Sequence, residues 1–337
     1  GGLAALATGV NVRPSPDAFA PRERKGRRLS RQSGWSRSVS EALEYAGVRL
    51  LGGILRLASL DVASAAMGRT WRVLAPLTGR HKRALAHMAL ALPETSPAER
   101  ETIARAMWEN LGRVFAETFM LDRFVADPSR IEFADAARVR EIVASGRGCS
   151  MASLHYGNWE VVVVPATANG MRSGGIYRPL RNPLVERYLL SQRAGLYPGG
   201  LFQKGDAVGR KVLAFVKEGG HIAMLADQRK AHGLDIAFFG HPAPTNPFPA
   251  MIARVLDVPL VAARTIRTGG ARFRIEIEEV PVPRTDDRSA DVLAATKALH
   301  AIFERWIREH PDHWMWAQKR WGAVLPGDTA DAADDED

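Results

Sequence analysis

From residue 146 onward the chain alternates between two textures, and this alternation constrains its fold more than any other feature. Short apolar runs bounded by glycine and polar residues ("GCSMASL", "GGIYR", "HIAMLAD", "VPLVAARTI", "ARFRIEIEEV") read as strands. Between them lie segments with helical periodicity: "NWEVVVVPATANG", "NPLVERYLLSQRAG", "DAVGRKVLAFVKEGG", "NPFPAMIARVLD" and "DDRSADVLAATKALHAIFERWIREH", the last stopped by Pro311. A strand pattern that keeps handing over to a helix pattern predicts an α/β fold, with a mostly parallel central sheet flanked by helices. No internal repeat interrupts it.

The N-terminal third reads as helical. "SPAERETIARAMWENLGRVFAETF" offers Ser96 as cap, Pro97 at the first helical position and Glu99 to close a capping box. Its apolar face is Ile103, Met107, Leu111, Val114 and Phe119. Shorter helices are expected at 80–91 and 135–145. Residues 39–60 form an amphipathic helix whose apolar face is interrupted by Glu41, Glu44, Arg49 and Arg56. Two readings fit it: a helix packed on the domain, or one lying in a membrane interface. The organisation expected is a disordered basic tail (1–37), one domain over 38–325 and a disordered acidic tail (326–337). The domain divides into a helical part, 38–145, and an α/β part, 146–325.

Charge narrows the partners. The net charge is +9 over 337 residues, and a basic protein suits a polyanionic partner such as nucleic acid, anionic lipid, a phosphorylated substrate or an acidic carrier protein. Residues 21–37 carry seven Lys/Arg against one Glu, next to the amphipathic helix, which favours anionic headgroups. Nucleic acid is disfavoured, because the basic residues are not interleaved with aromatics in any recognisable motif. The single cysteine, Cys149, excludes an internal disulfide and a cysteine-based zinc site, and fits a reducing compartment. No window of 18 uncharged apolar residues is present to span a membrane.

The stretch "SMASLHYGNWE" (150–160) holds the candidate chemistry. His155 has an acid, Glu160, five residues on. With 9 histidines and 37 acids in 337 residues, about one such pairing is expected by chance, so spacing alone decides nothing. Position says more. His155 follows a predicted buried strand, at the sheet edge where open α/β folds bind ligands. One reading is a base that deprotonates a substrate hydroxyl, with Glu160 on its other ring nitrogen fixing the tautomer. The other is a core histidine satisfied by neighbours. No Gly-x-Ser-x-Gly elbow or catalytic cysteine lies nearby.

"HYGNWE" resembles the His-x4-Asp/Glu block of the lauroyl/myristoyl (late) acyltransferases of lipid A biosynthesis, and further blocks follow in that family's order. "YRPLRNPLVERYLLSQR" is similar to the second block, with Arg178 in the matching place. "GGHIAMLADQR" is similar to the Asp-Gln block, placing Asp227 and Gln228. "FFGHPAPTNPFPAMIARVLDVPLV" and "HPDHWMWAQKRW" resemble the last two. The resemblance runs from about residue 38 to 321. Tyr156 stands where Phe is usual, and Gln318 where many members have His.

The resemblance implies an acyltransferase-like fold and transfer of a fatty acyl chain from acyl carrier protein to a hydroxyl of a phosphorylated lipid A precursor. It also implies the cytoplasmic face of the bacterial inner membrane, no metal and no cofactor. Under it His155 and Glu160 are catalytic. Arg178, Asp227, Asn158 and Arg320 are substrate-binding candidates, Arg178 as oxyanion or phosphate donor. Plainer readings stand beside these: Asn158 as a helix cap, Asp227 as a turn-former, Arg320 facing solvent, and Trp306, Trp314, Trp316 and Trp321 as core anchors rather than an acyl pocket. Two other functions remain open: acylation of another glycolipid such as a phosphatidylinositol mannoside, and a non-catalytic basic membrane-binding protein.

Overall fold

The computed structural model describes residues 34–205 and 207–322. Both tails expected from composition lie outside the described residues, apart from the last four residues of the basic one. The chain divides into two compact units, Gly1–Ser40 and Glu41–Asp337. The first is described only as the opening turns of α1 (Gly34–Leu57), and the second holds the sheet and the remaining helices.

Six helices come first: the rest of α1, α2 (Leu60–Leu74), α3 (Gly79–Ala91), α4 (Pro97–Thr118), α5 (Leu121–Ala126) and α6 (Ala136–Ala144). The capping box of α4 forms as expected. The Glu99 N–H donates to Ser96 Oγ at 3.2 Å, and the Ser96 N–H donates to Glu99 Oε2 at 2.7 Å. On α1, Val48, Leu51 and Leu55, with Ala58 just beyond its end, pack into the core while Leu43, Leu50, Ile54 and Leu57 stay exposed. No described helix is long and apolar enough to cross a membrane.

Among the described residues the main sheet has seven strands: β1 (Ile131–Phe133), β2 (Cys149–Ser153), β3 (Ser173–Tyr177), β4 (Gly200–Gln203), β5 (His221–Leu225), β8 (Leu260–Gly269) and β9 (Arg272–Val280), in the order β1-β9-β8-β2-β5-β3-β4. From β8 to β4 all neighbours are parallel. β9 runs back antiparallel to β8 through Gly269 and Gly270, both at positive φ. Helices cover both faces, as the period-two side-chain pattern shows. On β2, Cys149 and Met151 enter one apolar cluster while Ala152, and Leu154 just beyond it, enter the other; Val261 and Ala262 on β8 divide likewise.

The helices threaded between strands are α7 (Val164–Ala168), α8 (Pro183–Arg193), α9 (Val208–Lys217), α10 (Phe248–Leu256) and α11 (Arg288–Glu309). One segment departs from expectation. "NWEVVVVPATANG" is not a continuous helix but a 3-10 turn, Trp159–Val161, followed by the short α7. Four consecutive β-branched residues are poor helix formers, and Pro165, accommodated in the first turn of α7, would break a helix running through it from Asn158; burying Val161, Val162 and Val163 favours the broken path. The sequence pattern also did not reveal α2, β1, β4, or the β6 (Arg229–Phe238) and β7 (His241–Thr245) hairpin, where prolines and polar residues mask the alternation. β1 places part of the helical third at the sheet edge, beside β9.

Candidate active site

The parallel register builds the site. Ser153 of β2 pairs with Leu225 of β5, so the residues two positions beyond each strand, His155 and Asp227, leave the sheet side by side at its carboxyl edge. The backbone N–H of His155 donates to Asp227 Oδ2 at 2.9 Å, and Nδ1–H of the ring donates to Oδ1 at 2.8 Å. Trp314 Nε1–H and Gln318 Nε2–H add bonds to Oδ2 at 2.8 and 3.1 Å. Asp227 is completely buried. Burial alone would raise its pKa, but the His155 charge, the two His155 hydrogen bonds and Trp314 together hold it well below the usual carboxylate range. An ionised Asp227 keeps the proton on Nδ1, which leaves the Nε2 lone pair of His155 as the available base.

Nε2 faces a cavity of about 680 Å³. Gln228 Nε2 lies 3.4 Å from it, and the Trp159 ring meets the imidazole edge-on at a centroid distance of 5.1 Å. Among the described residues the cavity wall carries Arg178, Arg193, Lys204, Arg229 and Lys230 against one acid, Glu160, and includes apolar ground at Ile176, Met224 and Phe248.

Glu160 is where the structure corrects the sequence reading. Its carboxylate does not reach the imidazole. Arg193, from the end of α8, grips it in a two-point fork, Nε to Oε2 at 2.7 Å and Nη2 to Oε1 at 2.6 Å. The cause lies in the intervening loop. Gly157 sits at φ +57°, and the 3-10 turn after it carries Glu160 towards α8. A side chain at Gly157 would bring its Cβ to 1.7 Å from Thr265 O, so only glycine fits there.

Asn158 is fully buried. Its Oδ1 accepts from the Glu160 N–H at 3.1 Å, the capping role read for it, and its Nδ2–H donates to Glu117 Oε2 at 2.7 Å. It does not line the cavity. Glu117, itself fully buried on α4, also accepts from Ser64 at 2.7 Å and from Arg267 at 2.6 and 3.0 Å. Asn110 donates to Gly157 O at 2.9 Å, so α4 and β8 hold the histidine loop from below.

The C-terminal segment closes over the same loop. The Met315 N–H donates to His155 O, and the Gly157 N–H to His313 O, each at 3.0 Å. Trp314 and Trp316 are completely buried, the core anchors that their spacing suggested. Arg320 neither faces solvent nor lines the cavity. It is buried beneath the β6–β7 hairpin, donating to Pro244 O at 3.0 Å and Thr245 Oγ1 at 2.6 Å, and burial pulls its pKa down to about 10. Arg178, one residue beyond β3, is exposed and lines the cavity.

Sequence reasoning missed Arg193 and Glu117 and assigned Gln318 no contact. Position beyond a predicted strand was a usable signal for Asp227; nothing local marked Arg193 or Glu117.

A histidine bonded through Nδ1 to a buried carboxylate at the carboxyl edge of an α/β sheet, beside a basic cavity with apolar ground, is an arrangement chemically able to accept a proton. Compared with known families, residues 33–323 match the bacterial lipid A biosynthesis acyltransferases, and the chain belongs to that family. It is thus an acyltransferase of lipid A type. A search among curated proteins finds no match.

Proposed function

We propose that the protein transfers a fatty acyl chain from the thioester of acyl carrier protein to a hydroxyl of a phosphorylated lipid A precursor, at the cytoplasmic face of the inner membrane. His155 is the general base. The observation that carries this reading is the His155–Asp227 pair with Nε2 turned into a basic cavity.

The hydroxyl oxygen attacks the thioester carbonyl while its proton passes to Nε2. Asp227 stabilises the imidazolium that forms. The carbonyl oxygen becomes an oxyanion, for which Arg178 supplies an N–H donor and a positive charge. Collapse breaks the carbon–sulfur bond. The thiolate leaves and recovers the proton from His155, giving ester and free thiol. A thioester needs little acid assistance, so no acyl-enzyme is required. The remaining wall cations face the phosphates of the acceptor, and an acidic carrier protein suits the basic chain. Glu160 contributes by holding Arg193 in the wall, and Asn158 by capping the turn that carries Glu160.

The test is acyl transfer from labelled acyl carrier protein to purified lipid A precursor. His155→Ala should lower turnover by about 10²–10⁴-fold with the fold intact. Kinetics should be sequential, with both substrates bound before product forms. A stoichiometric acyl-protein trapped with donor alone, or near-normal transfer by His155→Ala, overturns the scheme.

A further inference from the structure

A second cavity, of about 600 Å³, lies between α1, α5 and α8, away from His155. Arg49 stands at it. Its guanidinium lies 4.9 Å from the Tyr188 ring centre and 5.8 Å from that of Tyr45, and Nη1–H donates to Tyr45 Oη at 3.1 Å. The neighbouring cation, Arg56, is neutralised by a two-point pair with Asp122, both bonds at 2.7 Å. Arg49 has no such carboxylate among the described residues. Stacking on tyrosine faces fixes a guanidinium yet leaves its in-plane N–H edge available, the geometry that suits a phosphate. Ser191 and Gln192 of α8 add polar groups to the same wall.

The surroundings say what kind of phosphate. Leu43, Leu50, Ile54 and Leu57 of α1 are 68%, 66%, 54% and 89% exposed. Spaced at seven, four and three residues, they form one apolar stripe along the helix beside Arg49, and Val125 at the cavity adds to it. An apolar stripe with a basic anion cavity at its edge matches the boundary between acyl chains and anionic headgroups. The basic run at 21–37 leads into this helix in the sequence. α1 is also tied to the wall of the catalytic cavity. Asn182 Nδ2 donates to Glu41 O at 2.8 Å and to Glu44 Oε2 at 2.9 Å, tying α1 to the loop of Arg178 and Leu180; Leu180 is exposed and lines the catalytic cavity.

We propose that α1 lies on the bilayer surface with an anionic phospholipid headgroup seated in the Arg49 cavity, presenting the catalytic cavity to a lipid in the same membrane. This deepens the reading of the chain as an enzyme of lipid acceptors and rests on it.

The test uses the full chain and co-sedimentation with vesicles, without donor or acceptor. Binding should be tighter to phosphatidylcholine vesicles containing phosphatidylglycerol than to phosphatidylcholine alone. Arg49→Gln should lower binding to the anionic vesicles about fivefold and leave binding to neutral ones unchanged. Leu50→Asp with Ile54→Asp should lower both by about tenfold or more, with an unchanged circular dichroism spectrum. His155→Ala should bind like the parent chain, so near-normal acyl transfer by that variant with intact vesicle binding counts against the proposed function and not against this docking. Three results overturn the proposal: Arg49→Gln binding anionic vesicles as the parent does, inorganic phosphate abolishing that binding when chloride of equal ionic strength does not, or light scattering showing a dimer that the Leu50/Ile54 pair dissociates while vesicle binding persists. The second makes the cavity a site for free anion, and the third makes the stripe an interface between copies.

Discussion

Replacing Asp227 with asparagine tests the site at its most constrained atom. Oδ2 of Asp227 accepts three N–H groups, from the His155 backbone, Trp314 and Gln318, while Oδ1 accepts one, from His155 Nδ1. An asparagine side chain has one acceptor oxygen and one NH₂. Placing the NH₂ at the Oδ2 position would oppose three donors, so it must occupy the Oδ1 position. There it faces His155 Nδ1 and turns that nitrogen into the acceptor, which moves the ring proton to Nε2. The lone pair that should receive the substrate proton then points at the wrong neighbour. The ring keeps its place and loses its function.

A histidine held in the wrong tautomer costs on the order of 10⁴ in turnover in the best-studied triads. The expectation for Asp227→Asn is therefore a fall in kcat of about 10³–10⁴-fold, equivalent to about 4–5.5 kcal/mol of transition-state stabilisation. KM should change little, because Asp227 is buried behind the ring. The assay is steady-state acyl transfer with purified carrier and acceptor, combined with nitrogen-15 NMR of the labelled imidazole to read the tautomer. If the variant folds, shows the proton on Nε2 and still turns over within tenfold of the parent, then His155 is not the base and the reasoning fails.

Other consequences arise from the same geometry. Glu160→Gln should cost activity through Arg193 rather than through the imidazole: about tenfold in kcat, with a lowered thermal midpoint from the loss of a half-buried ion pair, a milder effect than Asp227→Asn. A fall as deep as that of Asp227→Asn would show that Glu160 acts on the histidine directly. Gly157→Ala should destabilise by on the order of 3 kcal/mol in denaturant titration, because it combines a positive φ with a clash against Thr265 O; an unchanged midpoint would mean that the loop yields easily. Acid should weaken the fold through His300, whose burial pulls its pKa down to about 4 from 6.5. The unfolded chain then takes up a proton that the folded chain refuses, so stability declines as pH falls from 6.5 to about 4, by about 3 kcal/mol for this group. Denaturation at several pH values should show this slope, and His300→Leu should flatten it.

Much of the fold was legible in residue order. The switch between period two and period 3.6 marked β2, β3, β5, β8, β9 and the helices α8 to α11, because each element must show an apolar side to the core whatever its partner. The capping box of α4 was legible for a like reason, since its bonds close within three residues. Segments that bury little or are rich in proline, such as β6 and β7, left no such pattern.

The same division runs through the site. His155 could be placed at the carboxyl end of a strand from sequence, because strand ends are local, and the family blocks marked Asp227 and Arg178 as candidates. Which carboxylate meets the imidazole was not local. Glu160, five residues away, is turned aside by the left-handed Gly157 and taken by Arg193, thirty-three residues on. Asp227, seventy-two residues away, arrives at 2.8 Å because β2 and β5 pair in parallel with Ser153 opposite Leu225. Arg320 likewise went to a buried structural post that only packing assigns. Sequence specifies elements through short-range periodicity and caps, whereas register between distant strands depends on how the two helical layers pack against the sheet, and that is a property of the whole fold.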